Sequence, residues 1–266
     1  MMIFQESQIQ GLKSIAPDIH LLRFSAGPLA SLARPGQFVM IRPSKFTEPL
    51  LPRPFSIHRV LGNQIDLLFK IVGQGTRQLA DLKKGDFLEV RGPLGKGFVF
   101  DKGQAPILVA GGMGVAPLLF LAETWRGVQR KGPKKLPKLF IGARTQKELL
   151  CLKEFERAGV EIRVATEDGS FGEKGLVTQL LKKNIKKPSP GQSLFVCGPL
   201  PMLKAVRGWA IQKGVSCQLS LEARMACGLG ACLGCAVARK KEADCSYVNV
   251  CQEGPVFEAS EVFWDE

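Results

Sequence analysis

Residues 107–123 read ILVAGGMGVAPLLFLAE and contain three structural signals in succession. The apolar run 107–110 predicts a buried strand, and a helix is expected to begin near Pro117, because proline is favoured in a first helical turn. Between them lie Gly111, Gly112 and Gly114, which let the backbone approach a pyrophosphate at the free amides of the helix N-terminus. The spacing differs from the G-x-G-x-x-G dinucleotide fingerprint, and glycines needed only for packing are the alternative interpretation.

The same strand–turn–helix rhythm continues through residues 101–216. Strands are predicted at 107–110, 138–141, 162–165 and 194–197, and helices at 117–130, 146–158, 175–182 and 201–213. This alternation predicts a parallel sheet with helices on both faces. A second glycine turn, Cys197-Gly198-Pro199, follows the last strand. Ligands of open α/β sheets bind beyond the carboxyl ends of the strands, so both turns are expected to contact a nicotinamide nucleotide.

Residues 1–100 have a different pattern, with short strands separated by glycine and proline turns. Strands are predicted at 19–24, 38–42, 55–60, 65–71 and 87–91. This spacing predicts a small antiparallel barrel or sandwich. Within it, Arg53 can pair with a pyrophosphate as a two-pronged donor, the Phe55 ring can cover a flavin face, and the Ser56 hydroxyl can reach the polar edge of the flavin. The turn at 73–76 can present amides to a phosphate, and a plain hairpin turn is the alternative.

Eight cysteines are too few for a disulfide scaffold of this size, and five of them fall within residues 227–251. Cys227, Cys232 and Cys235 have the spacing C-x4-C-x2-C, which is typical of a plant-type two-iron, two-sulfur cluster. Cys251, followed by a turn sequence, is preferred to Cys245 as the fourth ligand. A zinc site is the alternative, but it usually has two C-x2-C pairs and here there is one.

Composition and charge favour a cytoplasmic protein with no membrane or nucleic-acid partner. Residues 1–14 lack the apolar stretch of a signal peptide, and the uncharged run 105–122 is interrupted by prolines and glycines. The net charge is +13, yet residues 217–266 contain four basic and eight acidic residues, so that segment carries −4 and the rest +17. The basic runs lack interleaved aromatics, which indicates a solvated face rather than a nucleic-acid site.

Taken together, these motifs resemble the ferredoxin–NADP reductase superfamily, in which a flavin barrel with R-x-(Y/F)-S precedes a nicotinamide domain with G-G-x-G-x-A-P and C-G-P. Within it, the chain is similar to the electron-transfer subunits of type B dihydroorotate dehydrogenase. That family carries R-M-A-C-G-x-G-A-C-x-x-C and V-C-x-x-G-P-V-F, which stand here at 224–235 and 250–257. The run 237–249, with its extra cysteine, departs from the family pattern.

The resemblance implies a multi-domain β plus α/β fold: an FAD-binding antiparallel barrel (1–100), a nicotinamide-binding parallel-sheet domain (101–216) and a small 2Fe-2S domain (217–266). By the resemblance, FAD would be held by Arg53, Pro54, Phe55, Ser56, Leu68, Phe69, Lys70, Gly75 and Thr76. The implied partner is an FMN-containing dihydroorotate dehydrogenase catalytic subunit, in a heterotetramer with two copies of each chain. Electrons would pass from that FMN through the cluster and FAD to NAD, in pyrimidine biosynthesis.

The cofactors explain why the sequence shows no catalytic constellation. Nicotinamides exchange hydride pairs and a cluster takes single electrons, so a flavin, which does both, is expected between them. His20 and His58 are the only histidines, and no obligatory acid or base is expected. A reductase subunit serving a ferredoxin, an oxygenase or a sulfur-reducing enzyme is the close alternative, and a zinc-stabilised regulator is the distant one. Arg144 and Lys147 can meet a 2′-phosphate, whereas the resemblance points to NAD.

Overall fold

The computed structural model describes residues 2–43, 48–101, 103–128, 136–186, 192–241 and 244–262, with the side chains of residues 240, 241, 244 and 245 outside that description. Within these ranges the chain forms two seven-stranded sheets and a two-stranded hairpin. The predicted multi-domain β plus α/β fold is confirmed. None of the helices in the described part of the chain has the length and apolar character that a bilayer crossing requires.

The first sheet is the predicted antiparallel barrel. Its strands are β1 (Ile3–Ala16), β2 (Ile19–Ser25), β3 (Phe38–Pro43), β4 (Arg53–Ser56), β5 (Arg59–Leu61), β6 (Gln64–Lys70) and β7 (Phe87–Leu94), with the short helices α1 (Pro28–Leu32) and α2 (Gln74–Ala80) between them. They pair in the order β4-β3-β7-β1-β2-β6-β5. Inward-facing side chains such as Ile9, Phe24 and Leu67 are fully buried and form one core inside the barrel.

Two features of the barrel differ from the prediction. The strand predicted at 55–60 is divided, because the chain changes partners there: the Ile57 amide donates to Gln37 O, and the His58 amide donates to Asp66 O. The longest strand, β1, is absent from the sequence-based prediction. Its polar side chains, among them Gln5 and Gln8, do not show the apolar alternation that marks a strand in a sequence.

The second sheet is parallel except at one edge. Its strands are β8 (Ile107–Gly111), β9 (Lys138–Ala143), β10 (Glu161–Thr166), β11 (Glu173–Lys174), β12 (Ser193–Cys197) and β13 (Ser216–Ser220), and its helices are α3 (Val115–Gly127), α4 (Leu152–Arg157), α5 (Val177–Asn184) and α6 (Leu200–Lys213). Alternate residues of β8 serve opposite faces. Ile107 and Val109 pack with α5 and α6, whereas Leu108 and Ala110 pack with α3 and α4.

The helix predicted at 146–158 is wrong as a single element. A 3-10 turn occupies Gln146–Glu148, and α4 begins only at Leu152. Cys151 adopts a left-handed conformation with φ of 60°, which a continuous right-handed helix cannot contain. The helix predicted at 117–130 begins earlier, at Val115, and residues 129 and 130 lie outside the described ranges.

The C-terminal segment is joined to the second sheet rather than standing apart from it. It contributes a hairpin of β14 (Ala236–Lys241) and β15 (Asp244–Asn249), and then β16 (Val256–Glu258), which pairs antiparallel with β13. The sheet order is therefore β11-β10-β9-β8-β12-β13-β16. The domain boundary predicted after residue 216 lies at the first residue of β13, a strand that the sequence pattern does not indicate.

The three segments pack closely on one another. From α3, Phe120 enters the barrel core, the Ala116 carbonyl lies 2.8 Å from His58 Nδ1, and Glu123 pairs with Arg59. The C-terminal segment also reaches the barrel, because the Gln218 amide group makes two hydrogen bonds, at 2.9 and 2.7 Å, with the Val99 backbone. These contacts fix the barrel, the α/β domain and the C-terminal segment relative to one another.

Candidate functional site

The residues predicted to hold FAD lie on β4, at the end of β6 and at the start of α2. Arg53, Pro54, Phe55 and Ser56 are all half-buried on β4. The Arg53 side chain lies against Gly75, where an added Cβ would come within 2.8 Å of Arg53 Nε. Strand β4 and the glycine turn therefore form one continuous surface, with a guanidinium beside exposed backbone at 73–74.

The Thr76 hydroxyl stabilises this turn from within. It accepts hydrogen bonds from the amides of Val72 (2.9 Å) and Gly73 (3.1 Å), and it donates to Gly73 O at 2.9 Å. Thr76 is buried, so its side chain shapes the turn instead of reaching outward. The Thr76 hydroxyl therefore stabilises the turn that the sequence motif marks as an FAD contact.

The predicted strand residues 68–70 divide by burial. Leu68 and Phe69 are buried, so a ligand would meet only their backbone. The Phe69 ring meets Phe55 edge-on at 5.8 Å and stacks on His20 at 5.5 Å, which supports the half-buried Phe55 ring from behind. Lys70 is exposed and lines the cleft between the barrel and the α/β domain.

That cleft has a volume of about 810 Å³ and opens at the carboxyl ends of β8, β9 and β10. The barrel contributes the β1–β2 turn and Lys70, and the α/β domain contributes Gly111, Gly112 and Pro199. Gly112 has φ of +51°, and no atom lies within 4 Å of the position that a Cβ would occupy there, so its backbone faces open space. The cleft lies beside the place where the strand order reverses between β8 and β12, which is where nucleotides bind in open α/β sheets.

The other predicted nucleotide residues lie beneath the cleft surface. A Cβ on Gly114 would sit 2.0 Å from the Cys197 carbonyl oxygen, and one on Gly198 would sit 3.0 Å from the Gly111 amide. The two glycine turns therefore pack directly on each other, and glycine is required at these positions for that close approach. Burial raises the pKa of the Cys197 thiol to about 12, with a smaller contribution from Glu222, so this thiol is neutral.

The four predicted cluster cysteines come together in the C-terminal segment. The loop between β13 and β14 holds Cys227, Cys232 and Cys235, and the turn after β15 brings Cys251 beside them. The Cys251 Sγ accepts a hydrogen bond from the Gly230 amide at 3.1 Å, and Cys227 Sγ accepts one from the Leu229 amide at 3.3 Å. Cys235 and Cys251 are buried, whereas Cys232 is exposed.

Two glycines shape this loop. Gly228 and Gly230 adopt φ values of +69° and +80°, which disfavour any residue with a Cβ. A Cβ on Gly228 would also lie 2.6 Å from Met40 Cγ of β3, so the loop rests directly on the barrel. The predicted rival ligand, Cys245, has its side chain outside the described residues.

The thiols form two neighbouring pairs, Cys227 with Cys232 and Cys235 with Cys251. Hydrogen bonding and burial shift the pKa values of one thiol in each pair in opposite directions. Hydrogen bonds from the Leu229 amide, and then from Cys232 and Ala231, lower the pKa of Cys227 to about 6. Burial, reinforced by the Cys235 side chain, raises the pKa of Cys251 to about 11. Among the described residues, no three His, Cys, Asp or Glu side chains surround a point suited to a single metal ion. Four cysteines in two neighbouring pairs match the number of ligands that a two-iron, two-sulfur cluster requires.

Several residues near these sites have no signal in the sequence. Glu148 holds Arg144 at the edge of the nucleotide cleft. Glu222 follows β13, and desolvation raises the pKa of its carboxyl group although part of the side chain reaches solvent. The ion pair of Arg59 with Glu123 joins the barrel to α3. Each depends on elements that are distant in the sequence or on a local turn, and no motif signals them.

Comparison with known proteins gives three family matches along the chain. Residues 6–98 match an oxidoreductase FAD-binding domain, residues 108–208 an oxidoreductase NAD-binding domain, and residues 222–263 the iron-sulfur cluster binding domain of dihydroorotate dehydrogenase B. The matches follow the order of barrel, α/β sheet and cysteine loop described above.

Whole-chain relatives give the same result. The chain is 37% identical over 263 residues to the dihydroorotate dehydrogenase B (NAD(+)) electron transfer subunit of Desulforamulus reducens, covering 98% of each chain. It is 41% identical over 230 residues to the protein of that name from Caldanaerobacter subterraneus subsp. tengcongensis, covering 86% of this chain and 87% of the other. Its fold is similar to that of an NADH-dependent reduced ferredoxin-NADP oxidoreductase, with a TM-score of 0.83 and 28% identity, covering 97% and 90% of the two chains.

Proposed function

Because this chain belongs to the family of dihydroorotate dehydrogenase B (NAD(+)) electron transfer subunits, we propose that it carries electrons between a dihydroorotate-oxidising catalytic subunit and NAD, in pyrimidine biosynthesis. It has an FAD-binding, an NAD-binding and an iron–sulfur-binding domain. One observation carries the proposal: the barrel touches both other sites, because Met40 supports the cysteine loop at Gly228 and Lys70 lines the nucleotide cleft.

The residues of the barrel would hold FAD between the other two groups. When bound, FAD supplies the exchange between hydride pairs and single electrons. Arg53 would pair with its pyrophosphate, the 73–76 turn would donate amides, and Phe55 and Ser56 would contact the flavin ring system. Pro54, Leu68 and Phe69 would line the site through backbone and packing, because the latter two side chains are buried.

The nucleotide and cluster residues would have separate tasks. Gly111, Gly112 and Pro199 would contact the nicotinamide nucleotide, because they line the cleft, whereas Gly114, Cys197 and Gly198 would support these turns from below. The four thiols at 227, 232, 235 and 251 would ligate the cluster. The amides of Leu229 and Gly230 already donate to two of them, and such donors stabilise thiolate sulfur.

The partner would dock over the exposed side of the cysteine loop. Cys232 is exposed there, and Leu229 and Leu233 are 40% and 64% exposed. Leu229 also lines a hollow of about 360 Å³ together with Met2, which is exposed as well. We assign this apolar face to an FMN-containing catalytic subunit, in a heterotetramer of two copies of each chain. An obligate contact of this kind buries roughly 2,000 Å² or more.

Free thiols favour a reducing compartment for this protein. The seven cysteines whose side chains are described, Cys245 not being among them, are all unpaired. Thiolate ligands for a cluster persist where disulfides do not form, so we place the protein in the cytoplasm.

A second candidate function is a reductase subunit for another partner, such as a ferredoxin. Its support is the structural similarity over 97% of the chain to an NADH-dependent reduced ferredoxin-NADP oxidoreductase. The distinction between the two candidates lies in the partner that binds the cysteine loop.

Reconstitution tests the proposed function. The purified chain, carrying FAD and cluster, should reduce an artificial dye with NADH and leave dihydroorotate untouched. Addition of an FMN-bearing dihydroorotate dehydrogenase subunit should restore dihydroorotate-dependent NAD reduction, and addition of ferredoxin should not compete with it. Turnover of dihydroorotate by the chain alone would contradict the proposal, and productive coupling to ferredoxin only would favour the second candidate.

A further inference from the structure

The end of β9 carries an ion pair at the edge of the nucleotide cleft. Arg144 follows this strand directly, and Glu148 closes the 3-10 turn after it. Both side chains line the cleft. Strand β9 lies beside β8, which is the first strand of this sheet along the chain. In doubly wound folds, the residues that follow the strand in the position of β9 meet the adenosine ribose.

Three donors of Arg144 converge on the Glu148 carboxylate. The backbone amide lies 3.3 Å from Glu148 Oε2, the Nε lies 3.1 Å from the same atom, and Nη2 donates to Oε1. The guanidinium is thus held in a two-pronged pairing and directed at a protein carboxylate. The same contact raises the pKa of Arg144 and lowers the pKa of Glu148, so both groups are charged at neutral pH.

The charges around the cleft are balanced despite the basic character of the chain. Three basic residues, Lys70, Arg144 and Lys147, line the cleft with three acidic ones, Asp18, Glu148 and Glu167. Glu167, at the end of β10, also acts electrostatically on Arg144. Glu148 and Glu167, which follow β9 and β10, are carboxylate acceptors on this side of the cleft; such groups suit hydroxyl donors and repel a phosphate.

We propose that Glu148 is a specificity-determining residue, which occupies Arg144 so that the cleft accepts the ribose 2′-hydroxyl of NAD(H) and rejects the 2′-phosphate of NADP(H). This inference rests on the proposed function, because it assumes that the cleft binds the nicotinamide nucleotide. In this proposal Arg144, which the sequence offers together with Lys147 as a 2′-phosphate contact, is occupied by Glu148 instead. Without the carboxylate, Arg144 would be free to pair with that phosphate.

The test compares nucleotide preference in the FAD-loaded protein. Glu148→Gln keeps the shape of the side chain and removes its charge, so the ratio of kcat/KM for NADPH to that for NADH in dye reduction should rise on the order of tenfold, as expected when one like-charge contact is removed. Adding Arg144→Ala to this variant should cancel the gain. Glu161→Gln is the matched control, because Glu161 pairs with Arg163 at the opposite end of β10 and should leave the ratio unchanged.

A binding measurement separates this inference from the proposed function. Measured by calorimetry, the affinity for adenosine 2′,5′-bisphosphate should increase in Glu148→Gln, whereas the affinity for adenosine 5′-monophosphate should not change. An unchanged preference in Glu148→Gln, or a wild-type protein that prefers NADPH, would overturn the inference while NADH-linked electron transfer stands. A wild-type protein that reduces dye with neither nucleotide would instead overturn the proposed function.

Discussion

The Gly230 amide donates a hydrogen bond of 3.1 Å to the Cys251 Sγ, joining the cysteine loop to the turn after β15. Gly230 can point its amide there because it adopts φ of +80°. A further contact, from Asn249 Nδ2 to Gly230 O at 3.5 Å, lies beside it. The Cys251 thiol is therefore held against the loop that carries the other three cysteines, although Cys251 itself lies in a later segment.

The first prediction follows from this contact. Cys251→Ala should abolish the visible absorbance of the cluster and lower the iron and sulfide content of the purified protein, because one of four thiolate ligands is lost. Cys245→Ala is the matched control and should keep both. A stable cluster in Cys251→Ala, with loss in Cys245→Ala, would reverse the assignment of the fourth ligand.

The second prediction concerns the flavin site. Arg53→Ala removes a charge-assisted contact worth roughly 1.5–3 kcal/mol, so FAD affinity measured by fluorescence titration should fall about ten- to a hundredfold. Gly75→Ala should also weaken FAD binding, because its Cβ would press on Arg53 Nε at 2.8 Å. Arg77→Ala, on the exposed side of α2, is the control and should bind FAD normally. Unchanged affinity in Arg53→Ala would remove this residue from the site.

The third prediction concerns the packing of the two glycine turns. Gly114→Ala would place a Cβ 2.0 Å from the Cys197 carbonyl oxygen, and the backbone there cannot yield as a flexible side chain would. We expect a loss of about 3 kcal/mol in the free energy of unfolding, together with weaker nucleotide binding. Gly127→Ala, at the end of α3 with open space around it, should be neutral or stabilising by up to about 1 kcal/mol. Equal stability of the two variants in urea titration would refute the packing role.

The fourth prediction is a pH dependence that arises at the domain contact. Burial lowers the pKa of His58, whose Nδ1–H donates to the Ala116 carbonyl from the barrel side of the interface. The unfolded chain binds the proton first as the pH falls below about 6.5, so the free energy of unfolding should decrease in that range. His58→Gln should show a shallower decrease between about pH 7 and pH 5.5. The carboxyl groups titrate in both proteins, so their contribution cancels when the two are compared. Parallel curves of the free energy of unfolding against pH would contradict this role of His58.

Much of the fold could be predicted from local patterns. The apolar run of β8 followed by its glycine turn indicated the parallel sheet, because a strand buried on both faces has no polar alternation. β1 could not be predicted, since its partners β2 and β7 decide which of its polar side chains face inward. The break in the helix at Cys151 was equally hidden, because a left-handed cysteine has no sequence signature.

The site was predictable where a motif states its own chemistry, as the cysteine spacing does. The roles of individual residues were not. Thr76 and Gly114 stand in motifs that suggest ligand contacts, and their packing within the turns has no sequence signal. Glu148 was missed because its importance comes from the Arg144 side chain that it holds, and that pairing is visible only once the turn after β9 is formed.

The most direct test of the electron path uses Cys232→Ala in complex with the catalytic subunit. Replacement of Cys232 should remove the cluster, because it takes away one of the four proposed ligands. Because Cys232 is exposed, the barrel and the nucleotide cleft should stay intact. We predict that this complex reduces dye with NADH at close to the wild-type rate, and that dihydroorotate-dependent NAD reduction is lost. The retained dye reduction reports that FAD and the nucleotide site are undamaged. Dihydroorotate-dependent NAD reduction at the wild-type rate in a complex shown to lack iron would contradict transfer through the cysteine loop.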